Sequence, residues 1–235
     1  MAMTIFPARS LPTIPVQGRD TVYPLHRIFC VGRNYAAHAA EMGAVVDREA
    51  PFYFTKSPFA FERSGSEVSY PPGTADLHHE VELAVMLSGS LFKADPADVP
   101  GAIFGFACAL DMTRRDLQEA AKADRRPWDL GKDFDGSAIV GDIRTGVDLS
   151  TLGDETITLT VNGETRQAAR LSEMIHDVPA ILSHLSGYYR LAPGDVVLTG
   201  TPAGVGAVRP GDDLRGQISG IGAVALRIGP AADPA

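Results

Sequence analysis

Turn-forming residues punctuate this chain from end to end. Its 24 glycines and 17 prolines are spread along all 235 residues, with no fixed repeat and no low-complexity block. That spacing favours short strands joined by turns over long helices. The clearest local signal lies at 155–169, where ETITLTV and ETRQAA flank Asn162-Gly163. Asn-Gly between alternating runs predicts a hairpin with a type I′ turn. Pro-Gly-Asp turns at 193–195 and 210–212 each precede a strand-like run. LHRIFCVG (25–32), FYFT (52–55), HEVELAVMLS (79–88) and IFGFACALDMT (103–113) read as further strands, mostly buried. Helical composition is confined to short pieces: 34–42, with Asn34 as cap and Gly43 as stop; 96–99; 114–125, stopped by Pro127; and 177–188. Phe59 to Thr74 carries turn signals. The expectation is an α+β fold, mostly β, with an N-terminal arm (1–24) and one domain (25–235).

Composition narrows the function classes. The net charge is -8, and no basic run offsets it, so a nucleic-acid footprint is not expected. Cys30 and Cys108 sit in apolar surroundings without a CxxC, which argues against a disulfide framework and a thiolate zinc site. Two buried free thiols suit a reducing cytoplasm. The first sixteen residues, interrupted by prolines, lack the apolar run of a signal peptide, and nowhere do about 18 apolar residues follow one another as a membrane span requires.

Acidic side chains stand at the ends of two predicted core strands. In DLHHEVELAV, Glu80 and Glu82 are two apart, and on a strand such residues share a face. Neighbouring carboxylates repel unless one takes a proton or a cation lies between them. Hard divalent cations such as Mg²⁺ want oxygen ligands. Alone, the pair also suits an edge strand with a solvated acidic face, but its run into the apolar LAVML argues for burial. Asp111 closes IFGFACAL, where it either caps a following helix or adds a third oxygen ligand. His78 and His79 precede Glu80, yet HExxH is missing because Leu83 stands where a second histidine belongs. These histidines therefore read as structural or supporting groups.

His38 and Glu41, at i and i+3 on the 34–42 helix, share a face. A carboxylate beside imidazole fixes its tautomer and raises its basicity, as a general base requires. The same spacing also describes an ordinary surface pair. Lys132 in DLGKDFDGS, Lys56 in FYFTKSP and Arg33 in GRNY lie in contexts where a lone cation is usually solvated, and the segment around Lys132 does not read as a regular element. GTPAGVG (200–206) offers backbone N–H groups and a hydroxyl for an anion, but lacks the GK[ST] ending of a phosphate-binding loop.

Taken in order, VGRNYAAHAAEMG, LHHEVELAV, ALDMTRRD, LGKDFDG, VNGE and PGDVVLTGTPAGVG resemble the fumarylacetoacetate hydrolase superfamily over residues 25–228. The wording is most similar to its small acylpyruvate hydrolase branch, which includes enzymes of gentisate breakdown. The resemblance implies a mixed β-roll or β-sandwich-like fold with a few short helices, and a homodimer; from composition, a cytoplasmic location and no nucleic-acid or membrane partner are expected. It implies that Glu80, Glu82 and Asp111 hold Mg²⁺, Mn²⁺ or Ca²⁺. It gives catalytic roles to His38, Glu41 and Lys132 and a substrate contact to Thr201, beside Gly200 in the matching loop 199–205; Gly200 and Arg33 are further candidates for substrate binding. The implied reaction is hydrolysis of an acylpyruvate C–C bond, 3-fumarylpyruvate and water giving fumarate and pyruvate. Oxaloacetate decarboxylation, acetylpyruvate hydrolysis and 2-hydroxydienoate isomerisation remain open on the same fold, as does a non-catalytic metal- or carboxylate-binding role. If fumarate is released, a cation should meet its far carboxylate, and Arg33, Arg114, Arg115, Arg125 and Arg126 all qualify. FTKSP departs from the KP of the family, leaving the role of Lys56 open. The short, Ala-rich 34–43 segment is expected to be a lid ordered by substrate and metal.

Overall fold

The apolar runs VELAVML and IFGFACALD pair with each other at the centre of the molecule. The computed structural model describes residues 4–43 and 48–231. In chain order its strands are β1 (Thr13–Pro15), β2 (Val22–Pro24), β3 (Arg27–Gly32), β4 (Phe52–Lys56), β5 (Phe61–Arg63), β6 (Ser66–Tyr70), β7 (Leu77–His79), β8 (Val81–Leu87), β9 (Ile103–Asp111), β10 (Thr113–Arg114), β11 (Ala138–Val140), β12 (Thr156–Val161), β13 (Glu164–Arg170), β14 (Asp195–Leu198), β15 (Gly206–Val208), β16 (Asp213–Ile218) and β17 (Gly222–Ala231). The helices are α1 (Ala36–Glu41), α2 (Arg115–Ala123), α3 (Asp129–Lys132) and α4 (Val178–Ser186), with short 3₁₀ turns between elements.

One mixed sheet runs β4-β3-β14-β8-β9-β11-β5, and a second runs β13-β12-β16-β17-β6; β10-β7-β15 and β1-β2 are smaller sheets. All seven residues of β8 are buried, as in a strand covered on both faces. Val81, Leu83 and Val85 pack with Cys108, Leu110, Ile157, Leu159 and Leu214 between the two large sheets. The alternate residues Ala84 and Met86 pack on the other face with Ile28, Ala107, Ala109 and Val196. Glu80 and Glu82 keep the parity of Ala84 and Met86, so the acids continue that second face. Across the ladder Glu82 pairs with Ala109, and the Asp111 N–H donates to the Glu80 carbonyl at 2.8 Å. Register thus brings all three acids to one end of β8 and β9.

The expected mostly-β architecture is what the structure shows. Asn162 and Gly163 take φ of 53° and 83°, the pair of positive values a type I′ turn needs, between β12 and β13. Three local expectations are corrected. Phe59 to Thr74 is not all turn, because β5 and β6 lie within it as edge strands of the two large sheets. Tyr35, not Asn34, occupies the N-cap position of α1, and Asn34 is drawn into longer-range hydrogen bonds. The segment around Lys132 forms the single turn of α3.

Within residues 1–24, the β1-β2 hairpin buries Ile14, Val16 and Tyr23 in the second core layer. Cys30 and Cys108 are buried free thiols, and burial pushes both well up from the usual thiol range. Among the described residues no helix is long and apolar enough to cross a membrane.

Candidate active site

One carboxylate oxygen each from Glu80, Glu82 and Asp111 lies within 4.8 Å of the others. All three residues are buried, Glu80 being the most exposed at 4%. Three cations answer them. Lys132 ends α3, and Gly131 lets that helix press against α2: a Cβ there would stand 2.9 Å from the Gln118 nitrogen. The Lys132 ammonium reaches Glu80 Oε2, Asp111 Oδ2 and Thr113 Oγ1, each at 2.7 Å. All three of its protons are thereby engaged. Burial alone would lower its pKa, but Asp111 and Glu80 outweigh that and push it up to about 12. The Arg115 guanidinium bonds Glu80 Oε1 and, at 2.5 Å, Gln118 Oε1.

Lys56 is the residue that sequence reasoning misplaced. Instead of standing in solvent it is buried, with Nζ 2.8 Å from Asp111 Oδ1. Its remaining protons go to the carbonyls of Met112, at 3.2 Å, and Lys132. The available signal was its position closing the aromatic run FYFT, which mirrors Asp111 at the end of β9. Gln118 also went unremarked; it seats Arg115.

Glu80 and Glu82 feel opposite fields. Burial would raise Glu80, but Lys132, Arg115 and His38 hold it well below the usual carboxylate range. Glu82 has no lysine or arginine among its described ion pairs; its partner is the Gly200 N–H at 2.7 Å. Burial, then the like charges of Asp111 and Glu80, drive Glu82 well above the usual range. Gly200 makes this approach with φ of 96°, and a Cβ there would come 2.7 Å from the Asn34 Cβ. A shared cation relieves a carboxylate placed this way, and three buried oxygen donors without sulfur or nitrogen fit a hard divalent ion. His78 and His79 stand outside the cluster, as expected: His78 Nε2 is 2.9 Å from Asp76 Oδ1, and His79 Nδ1 is 3.1 Å from Gln167 Oε1.

The second half of the site rides on α1. His38 is buried, and its Nδ1 lies 3.4 Å from Glu41 Oε2. The Glu41 carboxylate accepts the Gly204 N–H, its oxygens 3.1 and 3.2 Å away, which ties α1 to the GTPAGVG loop. Asn34 Nδ2 donates to the carbonyls of Thr199 at 2.8 Å and His176 at 2.9 Å, fixing the other end. Burial lowers the His38 pKa, against the opposing pull of Glu80 and Glu41. The imidazole is therefore neutral at pH 7. His38, Glu80, Glu82, Lys132, Arg33 and Thr201 line one chamber of about 30 Å³. The Thr201 hydroxyl is tied to the Val81 carbonyl and Gln167 Nε2, both at 2.8 Å. A larger groove, about 600 Å³ beside Glu62, Tyr70 and Arg114, contains none of the three acids.

This scaffold and this site define a class before they define an individual. The chain belongs to the fumarylacetoacetate hydrolase family, whose C-terminal domain matches residues 27–229. Among its relatives, the fumarylpyruvate hydrolase of a Ralstonia species is 43% identical over 194 residues, covering 81% of this chain and 100% of that protein. The oxaloacetate tautomerase YcgM of Escherichia coli K12 is 40% identical over 199 residues, covering 84% of this chain and 90% of that protein. Among solved structures, the Pseudomonas aeruginosa fumarylpyruvate hydrolase in complex with Mn²⁺ and pyruvate superposes with a TM-score of 0.91 at 38% identity, covering 97% of this chain and 100% of the other.

Proposed function

We propose that this protein hydrolyses the C–C bond of an acylpyruvate, with fumarylpyruvate and water giving fumarate and pyruvate. The observation that carries the reading is the convergence of His38 with Glu80, Glu82 and Lys132 on one chamber. The fumarylpyruvate hydrolases among its relatives support it, one of them crystallised with Mn²⁺ and pyruvate. Held by Glu80, Glu82 and Asp111, a divalent ion (Mg²⁺ or Mn²⁺, with Ca²⁺ a third choice) supplies Lewis-acid polarisation of the 2-oxo acid. With Nδ1–H turned to Glu41, His38 keeps Nε2 free to take a proton from water. The hydroxide attacks the 4-oxo carbon, and the bond between carbons 3 and 4 breaks. Its electron pair passes to the pyruvyl fragment as an enolate. Lys132, a permanent cation at the acids, stabilises the developing charge, and the proton on His38 Nε2 returns to carbon 3. A chamber of about 30 Å³ has room for a water or two, so a seven-carbon acid enters only when an element moves. The six-residue α1 is that element, a lid over the acids.

The test follows fumarylpyruvate in Mn²⁺ buffer and again in EDTA. Equal yields of fumarate and pyruvate, lost with the chelator, are expected; no turnover with Mn²⁺ present overturns the reading. The oxaloacetate tautomerases at about 40% identity favour a second reading. Keto–enol exchange of oxaloacetate needs a proton carrier but no attacking water. A larger kcat/KM for that exchange than for hydrolysis would put tautomerisation first.

A further inference from the structure

Of the five arginines that could meet a far carboxylate, the structure separates one. Arg115 is committed to Glu80 and Gln118. Arg114 lies over Phe134, on the groove that holds none of the acids. Arg126 pairs with Asp124 at 3.4 Å, and neither it nor Arg125 lines the chamber. Arg33 does line it, beside Glu80, Glu82 and His38, and among the described residues no carboxylate forms an ion pair with it. The other unburied cation of the wall, Lys122, pairs with Glu119 at 2.7 Å and lies 5.3 Å from the Trp128 centroid.

Arg33 is held, not loose. Its φ is 60°, the left-handed region that non-glycine residues enter only under constraint, and such residues cluster at ligand sites. Its guanidinium lies 5.8 Å from the centroid of Trp128. That ring is itself wedged by Phe52 and Phe54, with centroids 4.8 and 5.9 Å away. The result is a flat aromatic wall carrying a cation with no carboxylate partner among the described residues, on the chamber lined by Glu80 and Glu82.

The geometry points to Arg33, braced on Trp128, as the residue that selects acylpyruvates whose acyl part is planar and ends in a second carboxylate. This rests on the hydrolase reading and deepens it, because it assigns the end of the substrate that the acids do not touch. A planar guanidinium offers a two-pronged hydrogen bond to a carboxylate. A conjugated acyl chain matches the face of the indole.

The experiment compares kcat/KM of the Mn²⁺-loaded full chain for fumarylpyruvate and for crotonylpyruvate, in which a methyl group replaces the far carboxylate. Arg33→Asn is the main variant, since Asn tolerates the left-handed backbone and leaves the loop intact. It is expected to lose about 10- to 100-fold on fumarylpyruvate, the range for a charge-assisted hydrogen bond, and to stay within about twofold on crotonylpyruvate. Arg33→Lys should recover part of the preference. Equal losses on both substrates, or an unchanged preference in Arg33→Asn, overturn the assignment while leaving the hydrolase reading standing. A wild-type chain that turns over neither compound overturns both.

Discussion

Two of the clustered acids, Glu80 and Glu82, share a chamber with His38, but cluster and histidine are built in opposite ways. Glu82 and Asp111 belong to strands paired on both sides, and Glu80 lies between two strands; Lys56, Lys132 and Arg115 brace the cluster from β4, α3 and α2. Moving any one of these groups disturbs several buried neighbours. His38 instead rides on six residues of helix, whose N-cap residue makes no side-chain capping bond. A helix that short does not hold its shape alone. Its anchors are Asn34 at one end and the half-exposed Glu41 at the other. The contrast teaches a division of labour. The acidic cluster is braced by cations from three elements, whereas His38 rides on an element with few bonds to lose.

Three substitutions test that division. The largest effect belongs to Glu82→Gln. It should abolish Mn²⁺ binding and lower turnover by more than about 100-fold, beyond what supporting residues cost. The metal-free protein should meanwhile gain about 0.5–2 kcal/mol, because the amide has no charge to bury and none to set against Asp111 and Glu80. Calorimetric titration and thermal unfolding in EDTA read the two halves, and a less stable metal-free variant would break the cluster argument.

His38→Ala comes next. It should cost about 10²–10⁴ in hydrolysis and leave Mn²⁺ affinity and melting temperature unmoved; a fall in affinity would mean that helix and cluster are one unit. Lys56→Met is third. It leaves Asp111 Oδ1 without its cation in a dry site while Lys132 still holds Oδ2, so unfolding should become easier by about 1–3 kcal/mol, the cost of a buried acceptor left unsatisfied. Thermal unfolding of the metal-free protein measures it, and a drop no larger than that of an exposed lysine substitution would show the pair to be incidental.

Sequence made one half of this site easier to read than the other. Glu80 and Glu82 are legible because strand period is local: two residues apart means one face. His38 and Glu41 are legible for the same reason at helical spacing, and Asn162-Gly163 because its turn is built from its own backbone. The braces are not local. Arg115 reaches Glu80 across 35 residues, and Asn34 reaches Thr199 across 165. No pattern within either segment announces such a partner. Asn34 reads as a helix cap because nothing nearby says that the Thr199 and His176 carbonyls will arrive. Glycine and aspartate around Lys132 argue against a helix, yet packing of Gly131 on Gln118 supplies the turn that propensity would not. The family resemblance reached Lys132 and the three acids by wording alone; Lys56, whose surrounding motif departs from the family, became readable only through its neighbours.

The smallest effect expected is also the most specific to α1, and it is a matter of pH. Burial lowers the His38 pKa from 6.5, while Glu80 and Glu41 oppose the shift. On the hydrolase reading the neutral imidazole is the active form, so kcat/KM should fall on the acid side with a midpoint below 6.5 and be level through pH 7. Glu41→Gln removes one of the groups that raise the pKa, and the midpoint should move to still lower pH. Because His38 is already neutral at pH 7, the loss there reflects orientation and basicity alone, about tenfold, the low end for a residue that supports another. Stability follows the same sign. The folded pKa lies below the unfolded one, so the contribution of His38 is complete above pH 6.5 and fades as pH falls through the folded value. A Glu41→Gln midpoint displaced upward instead would mean that the carboxylate does not support the imidazolium, and the pairing on α1 would then be only a surface contact.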